Sequence, residues 1–248
     1  MRSFGLTDKG PIRSENQDCF LLELCPEKDA LIAVLCDGMG GAKAGGVASQ
    51  LCIKAFVSKV YEKLTGLSGK SIDYRGILQS AADETNGVVY AYSHFSEEFS
   101  GMGTTIVGGI MKSGGNGYII NIGDSRAYQI SPAKNTIRQI TRDHSLVEEL
   151  VRFGAITREE AKSHPKRNVI TRALGTDERT DSDYFSFHLR TGDYLLLCSD
   201  GLSNTLSDEE MLDQAGGAKG PEELCRRLMD MALQRGARDN VTVVAVCK

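Results

Sequence analysis

Apolar and polar positions along the chain predict short strands with two long helices set among them. Residues 2–8 and 18–24 have strand-like patterns on either side of a polar turn. Residues 30–36 form an unbroken apolar run, which is typical of a strand buried on both faces. Between positions 44 and 60, and again between 78 and 92, apolar residues recur three and four positions apart. That spacing places them on one side of a helix, so two successive amphipathic helices are predicted.

After residue 99 the pattern is that of a meander, with strand-like segments separated by short polar or glycine-containing turns. Strands are predicted at residues 104–111, 117–122, 126–130, 136–141, 184–189, 194–199 and 241–247. A helix is predicted from Pro221 to about residue 234, because proline is favoured in the first helical turn. The charged segment 143–168 has weak periodicity, with short helical stretches at 146–153 and 158–162, and we interpret it as an insertion or lid.

The order of these elements predicts an α+β fold. Helices do not alternate singly with strands, which disfavours a doubly wound parallel sheet, and antiparallel sheet covered by helices fits better. The chain contains no evident repeat, linker or low-complexity tract. We therefore expect one domain over residues 1–248, with a flap subdomain at about 143–170.

Composition narrows the possible functions. The 248 residues are 41% hydrophobic and 25% charged, and 29 basic against 33 acidic side chains give a net charge of -4. This balance argues against broad binding to nucleic acid or to an anionic membrane. No apolar run is long enough to span a membrane, and the N-terminus lacks the apolar core of a signal peptide, so we expect a cytoplasmic protein. Seven scattered cysteines without a CxxC pair indicate reduced thiols, and four histidines without zinc-type spacing make zinc improbable.

Five aspartates lie at the edges of the predicted core strands. They are Asp18, Asp37, Asp124, Asp200 and Asp239. Carboxylates gathered on one rim raise each other's pKa unless a cation offsets them, and oxygen ligands suit Mg²⁺, Mn²⁺ or Ca²⁺. Gly38 could add a backbone carbonyl, and Arg13, in the turn before Asp18, could bind phosphate oxygens in bidentate fashion. The competing interpretation is that Asp-Gly pairs at strand ends simply form turns.

Other chemistries fit the sequence poorly. The glycine-rich segment 38–46 follows a strand and opens a helix, but it is neither GxGxxG nor a Walker loop. No cysteine has an arginine six positions later, as a cysteine phosphatase would need, and GxSxG is absent. Ser131 and Lys134 match SxxK by letter, yet they lie in a polar turn without partner motifs.

Seven short motifs, in this order and spacing, resemble those of the metal-dependent protein phosphatases of type 2C, and most closely the single-domain bacterial members. The motifs are Arg13-Ser-Glu-Asn-Gln-Asp18, Asp37-Gly-Met-Gly-Gly41, Gly101-Met-Gly-Thr-Thr105, Gly123-Asp-Ser-Arg126, Thr171-Arg-Ala-Leu-Gly175, Ser199-Asp-Gly-Leu202 and Asp239-Asn240. Each motif alone is weak, but together they cover nearly the whole chain.

The resemblance implies a four-layer α-β-β-α sandwich of two antiparallel sheets flanked by helix pairs, with two or three Mn²⁺ or Mg²⁺ ions at one end. It implies that Asp37 bridges two ions, that Gly38 gives its carbonyl to one of them, and that Asp200 and Asp239 bind the other. Asp18 would hold metal-bound water, and Asp124 with Asp200 would hold a third ion. Arg13 would bind the substrate phosphate, while a metal-bridging hydroxide attacks phosphorus directly. The flap would shape access for the substrate.

The same resemblance implies a serine/threonine phosphoprotein phosphatase, a monomer that opposes a bacterial Ser/Thr kinase and its targets. One position departs from the pattern, because many bacterial members carry histidine after GMGG where this chain has Ala42. No general acid can therefore be named, and protonation of the leaving group is expected to fall to metal-bound water. A pseudophosphatase that binds phosphoproteins without turnover, and a small-molecule phosphohydrolase on the same metal centre, remain alternatives.

Overall fold

The strands of the protein form two sheets. The computed structural model describes residues 1–41, 44–66 and 72–248. The strands are β1 (Arg2–Asp8), β2 (Asp18–Cys25), β3 (Ala30–Met39), β4 (Gly103–Thr104), β5 (Ile106–Lys112), β6 (Asn116–Ile122), β7 (Arg126–Ser131), β8 (Thr136–Gln139), β9 (Asp183–His188), β10 (Tyr194–Cys198) and β11 (Val241–Cys247). One sheet has the order β1-β11-β10-β7-β8, and the other has the order β2-β3-β5-β6-β9 with β4 added beside β3. Every pairing between these strands is antiparallel.

Helices cover the outer face of each sheet, and two short helices lie in the segment predicted to be a flap. They are α1 (Ala44–Gly66), α2 (Tyr74–Ser93), α3 (Leu146–Arg152), α4 (Arg158–Ser163), α5 (Asp200–Ser203), α6 (Asp208–Gly217) and α7 (Pro221–Gln234). Side chains of α1 and α2 share one buried cluster with the sheet that contains β3. Those of α5, α6 and α7 share a second cluster with the sheet that contains β11. The α+β sandwich of four layers is confirmed.

The unbroken apolar run of β3 has a simple physical cause. Along this strand Ile32, Val34 and Cys36 face the cluster with α1 and α2. The alternate residues Leu31 and Leu35 face a third cluster, which lies between the two sheets. Because successive side chains of a strand point to opposite faces, a strand covered on both sides needs apolar residues at every position.

Several predicted boundaries shift in the structure. Strand β3 continues past the apolar run to Met39, and the predicted strand at 104–111 is two strands, β4 and β5, separated by Thr105. Helix α6 was not predicted, although Ser207 and Glu210 form a capping box at its start, and that S-x-x-E pattern is visible in the sequence. Asp200 does not simply end a strand but begins the short helix α5.

The segment predicted to be a flap contains α3 and α4, and neither helix has a buried residue. A single bridge between Ser145 and Ile170 joins the two ends of this segment. The amide of Leu146 also donates to the carbonyl of Val169 at 2.8 Å. A segment held only at its ends, with few apolar contacts, belongs to the low-stability part of a fold. Among the described helices, none is long and apolar enough to cross a membrane.

Candidate metal centre

The two strands β2 and β3 bring Asp18 and Asp37 together. These residues are directly opposite each other in the antiparallel register. Opposed residues of an antiparallel pair project to the same face with Cβ atoms about 4.5–5.5 Å apart. The sequence placed both aspartates at strand edges, and the register makes them neighbours.

The backbone of Asp37 is fixed from the side by two threonines. The amide of Thr105 donates to the carbonyl of Asp37 at 2.8 Å, and the Thr104 hydroxyl donates to the same carbonyl at 2.9 Å. The amide of Asp37 in turn donates to the Thr105 hydroxyl at 3.1 Å. Because the strand is interrupted at Thr105, the hydroxyl of this residue can orient the backbone of Asp37. The carboxylate of Asp37 lines the cleft described below.

Among the described residues, only one of the two carboxylate oxygens of Asp18 has hydrogen-bond partners. The hydroxyls of Ser199 and Thr242 both donate to Oδ2 of Asp18 at 2.7 Å. Its Oδ1 is buried and has no hydrogen-bond partner within the part of the chain that the structure describes. Asp37 can donate to it only when protonated, since two carboxylates both accept. A buried acceptor without a donor is costly, which indicates that a further group belongs beside it.

The other three aspartates come from turns at the same end of the sandwich. Asp124 lies in the turn between β6 and β7, Asp200 begins α5, and Asp239 precedes β11. The turn before Asp124 needs glycine, because Gly123 has φ +111 and a Cβ atom there would lie 2.5 Å from the Thr105 side chain. Asn204 donates to Oδ2 of Asp200 at 3.1 Å.

A cleft of about 510 Å³ opens where these elements meet. Four of the five predicted aspartates line it, together with Gly38, Arg13 and Glu15, whereas Asp18 is buried, with 6% of its surface exposed. The described part of the cleft lining therefore carries five carboxyl groups and one guanidinium. Asn168 and Ile170, at the end of the flap segment, also line the cleft.

Burial and mutual repulsion raise the pKa of four aspartates at this site, namely Asp18, Asp37, Asp124 and Asp200. Burial, followed by the charges of Asp18, Asp200 and Asp124, raises the pKa of Asp37 well above its usual value. Burial and then the charge of Asp124 raise the pKa of Asp200 to about 8. The pKa values of Asp18 and Asp124 rise to about 6, again chiefly through burial. Such shifts mark a site that favours an added cation.

Gly38 occupies a position that admits no side chain. A Cβ atom there would lie 2.0 Å from the carbonyl oxygen of Gly45 and 2.8 Å from that of Gln17. Its amide donates to the Gln17 carbonyl at 3.1 Å. The start of α1 therefore packs directly on the backbone beside Asp37, and the hairpin turn considered for Asp37-Gly38 is excluded because both residues lie within β3.

The donor set fits a hard divalent cation. All candidate ligands are carboxylates or a carbonyl, the oxygen donors that Mg²⁺ and Mn²⁺ prefer. Across residues 1–41, 44–66 and 72–248, no three His, Cys, Asp or Glu side chains are already arranged to hold one metal ion. Mg²⁺ usually keeps several waters and binds through one or two carboxylates, so a site shared among waters, Gly38 and two aspartates needs no such trio. The buried Oδ1 of Asp18, which has no partner among the described residues, also favours a divalent cation with its waters at this site.

Arg13 reaches this centre from the loop between β1 and β2. Its Nη2 lies 2.6 Å from Oδ2 of Asp239, and about half of the Arg13 side chain (52%) is exposed. The structure thus places all seven predicted site residues in or beside one cleft. Sequence analysis missed the residues that orient them, namely Thr104, Thr105, Ser199, Asn204, Asn240 and Thr242, although most flank or belong to the motifs quoted above. Ala42 lies outside the described residues.

Fold and site together define a class of protein, an α+β sandwich with an acidic cleft whose oxygen donors suit divalent cations. A family model described as "Protein phosphatase 2C" matches residues 13–239, and the chain belongs to this family. It is 37% identical over 241 residues to the serine/threonine phosphatase Stp of Listeria welshimeri, covering 97% of this chain and 93% of that protein.

Solved structures agree with this assignment. The structure of the serine/threonine phosphatase Stp1 from Staphylococcus aureus superimposes with a TM-score of 0.88 at 35% identity, covering 99% of this chain and 94% of that one. The catalytic domain of the serine/threonine phosphatase PstP in complex with two manganese ions gives a TM-score of 0.81 at 34% identity, covering 98% and 96%. The predicted family, fold and serine/threonine phosphatase class are confirmed.

Proposed function

We propose that this protein removes phosphate from phosphoserine and phosphothreonine side chains of other proteins with the help of two or three Mn²⁺ or Mg²⁺ ions in the acidic cleft. The observation that carries the proposal is the cluster itself. Aspartates from strand ends and turns of both sheets share one cleft. The raised pKa values of Asp37 and Asp200 support a cleft in which the described residues supply too little positive charge to offset these carboxyl groups.

Each site residue has a proposed role. Asp37 would bridge two ions, Gly38 would offer its carbonyl to one, and Asp200 with Asp239 would bind the other. A third ion would be held by Asp124 and Asp200. Divalent ions bound here would supply Lewis acidity, which activates water near neutral pH and offsets charge on the phosphoryl oxygens. Asp18 would accept a hydrogen bond from that water on Oδ1, since Ser199 and Thr242 already occupy Oδ2.

Arg13 would hold the phosphate. Its guanidinium is half-exposed at the edge of the cleft and is paired to Asp239 through a single short contact at Nη2, so other donors remain for a ligand. A guanidinium matches two phosphoryl oxygens at once, which a lysine cannot do. Arg13 and the ions would together stabilise the charge that develops during direct displacement at phosphorus.

The same proposal extends to the setting of the enzyme. We expect one catalytic domain over residues 1–248 whose flap, at about 143–170, contributes Asn168 and Ile170 to the cleft and shapes substrate access. We expect a cytoplasmic monomer that acts in signalling, with a Ser/Thr kinase and its targets as the source of substrates.

One set of assays tests the proposal. Hydrolysis of p-nitrophenyl phosphate, a phosphothreonine peptide and a nucleotide is measured with Mn²⁺ and with chelator. A phosphoprotein phosphatase hydrolyses the first two only with the metal. Binding of the phosphopeptide without turnover would identify a pseudophosphatase, and preference for the nucleotide would identify a small-molecule phosphohydrolase. Activity that survives the chelator would overturn the metal assignment.

A further inference from the structure

The loop that carries Arg13 has little secondary structure to hold it. Residues 9–17, which we call the Arg13 loop, connect β1 to β2 and contain no helix or strand. In the part of the chain that the structure describes, residues 9–16 make no backbone–backbone hydrogen bond. A segment of this kind needs side-chain contacts to keep one conformation.

Several side chains contact the Arg13 loop. Asp8 accepts the amide of Gly10 at 2.8 Å, and Asn16 donates to the Thr7 hydroxyl at 2.8 Å. The hydroxyl of Ser49 donates to the carbonyl of Gln17 at 2.6 Å.

One buried side chain binds both ends of the loop. Asn240, with 5% of its surface exposed, donates from Nδ2 to the carbonyl of Lys9 and to that of Glu15, both at 2.9 Å. Its Oδ1 accepts the amide of Gln17, also at 2.9 Å. The side-chain amide of Asn240 therefore joins both ends of the Arg13 loop. Arg13 lies in the sequence between Lys9 and Glu15, whose carbonyls this amide binds.

The backbone around Asn240 is also packed from two sides. A Cβ atom at Gly10, which has φ +73, would lie 2.5 Å from the carbonyl oxygen of Asp239. A Cβ atom at Gly201 would lie 2.0 Å from the carbonyl oxygen of Asn240. The Arg13 loop therefore packs on the backbone of residue 239, and the start of α5 packs on that of residue 240.

We propose that Asn240 is a positioning residue for phosphate binding, which closes the Arg13 loop so that the guanidinium meets Asp239 at the cleft. The inference rests on the proposed function, because it takes Arg13 as the group that binds the substrate phosphate. Asn240 acts through Arg13 rather than through the metal, since its contact with Asp239 uses the backbone amide, which donates to Oδ1 at 2.8 Å and survives side-chain truncation.

The chain offers a matched control. Asn86 is also buried, with 2% of its surface exposed, and it makes the same kind of contacts. Its Nδ2 donates to the carbonyls of Asp177 and Glu178, both at 3.0 Å, and its Oδ1 accepts the amide of Gly175 at 2.8 Å. Truncating either asparagine therefore removes three hydrogen bonds to the backbone, but only Asn240 touches the Arg13 loop.

The first measurement separates phosphate binding from metal binding. With the Mn²⁺ enzyme, Asn240→Ala should raise both the KM for p-nitrophenyl phosphate and the inhibition constant of inorganic phosphate about tenfold, as expected for losing roughly one net hydrogen bond's worth of positioning. The Mn²⁺ concentration for half-maximal activity should change less than about twofold. Asn86→Ala should change both phosphate constants less than about twofold. Equal effects of the two variants, or a comparable loss of Mn²⁺ affinity in Asn240→Ala, would overturn the inference.

The second measurement is a double-mutant cycle. If Asn240 acts through Arg13, the combined variant Arg13→Ala/Asn240→Ala should bind phosphate no more weakly than Arg13→Ala alone. Additive losses would refute positioning while leaving the role of Arg13 intact. A phosphate inhibition constant unchanged in Arg13→Ala would instead refute the proposed function of Arg13, so the two failures are distinct.

The third measurement does not depend on activity. Hydrogen exchange of the metal-free chain should show the amide of Gln17, and the peptide covering residues 9–17, exchanging about tenfold or more faster in Asn240→Ala than in wild type. The same peptide should be unchanged in Asn86→Ala. Unaltered exchange of this peptide in Asn240→Ala would show that the loop holds its conformation without the asparagine and would overturn the proposal.

Discussion

The carboxylate of Asp143 and the carboxylates of the cleft lie near each other in this molecule, but the described residues give a matching positive charge only to Asp143. Asp143 accepts three hydrogen bonds from the Arg126 guanidinium, at 3.0, 3.0 and 2.6 Å, and a fourth from Gln139 at 2.8 Å. Among the described residues that line the cleft, five carboxyl groups share one guanidinium, that of Arg13. The two settings are close enough for the charge of Asp143 to raise the pKa of Asp124.

The difference shows which acids need an external cation. An acid whose lone pairs are filled by a buried arginine gains nothing from a metal ion, whereas acids that repel one another in a cleft remain unfavourable until a cation arrives. Position in the sequence does not separate the two cases, because Asp124 and Asp143 both follow short strands. Whether an acid is neutralised depends on the side chain that lies beside it in the folded chain. Arg126 contacts Asp143 and does not line the cleft.

The largest expected effect is loss of activity on changing the central carboxylate. Asp37→Asn should lower Mn²⁺-dependent hydrolysis of p-nitrophenyl phosphate by about 10³-fold or more, since it removes the proposed bridge between two ions. Without metal the variant should be at least as stable as wild type, because it removes a charge that burial and its neighbours disfavour. Activity and denaturant unfolding of both proteins test this, and undiminished activity in the variant would sink the metal assignment.

Changing Asp143, the acid paired with Arg126, should lower stability and leave most of the activity. Asp143→Ala leaves Arg126, whose side chain is 25% exposed, without its carboxylate. The free energy of unfolding should fall by about 2 kcal/mol, less than the roughly 3–5 kcal/mol for breaking a fully buried pair. Activity per folded molecule should fall less than about tenfold. A loss as large as that of Asp37→Asn, measured at a temperature where the variant is folded, would erase the distinction between the two groups of acids.

Metal-free protein should become less stable as the pH rises. The pKa of Asp200 is about 8 in the folded chain, far above its usual value of 3.8, so the folded state holds a proton that the unfolded state has lost. Its stabilising contribution is complete below about pH 4 and is lost as the pH rises through 8. Between pH 7 and 8.5 the free energy of unfolding should fall by about 1 kcal/mol.

This pH window avoids an opposing titration. Burial lowers the pKa of His144 below 6.5, so titration of this imidazole makes stability rise with pH only below about pH 6.5, outside the window. Denaturant unfolding of the chelated protein at the two pH values measures the effect. Asp200→Asn should reduce the slope but not abolish it, because the raised pKa of Asp37 acts in the same direction. Saturating Mn²⁺ should reverse the loss. A chelated wild type equally stable at both pH values would contradict the picture of unneutralised acids.

Much of this arrangement could be predicted from sequence. The run at residues 30–36, the helical spacing from Ala44 and the five strand-edge aspartates were enough to place the strands, the first helices and the acids of the cleft. What the pattern could not supply was contact across the fold. The register that sets Asp18 opposite Asp37 depends on the pairing of β2 with β3. The hydroxyls that occupy only Oδ2 of Asp18 come from residues more than 180 positions away.

Helix α6 shows a different limit. Its residues, Asp208–Gly217, are rich in acid and have little apolar periodicity, so the usual helical signal is weak. The capping box at Ser207 and Glu210 was the available clue. Only Met211 and Ala215 are buried, and packing of those two side chains against the sheet, which no local pattern reveals, stabilises the helix.

The smallest expected effect concerns the position after the GMGG motif, where the chain has Ala42. Ala42→His should alter the pH profile of kcat, with a change in kcat of less than about threefold at the pH optimum. The change should appear only for substrates whose leaving group needs a proton. A phosphothreonine peptide releases an alkoxide and should respond, mainly below about pH 6.5, where an imidazole is protonated. p-Nitrophenyl phosphate releases a weakly basic phenolate and should not. Ala42→Gln, which has similar size and no titration, serves as the matched control. If the wild type were inactive on both substrates until histidine was introduced, protonation by water in the cleft would be insufficient, and the acids alone would not make the site complete.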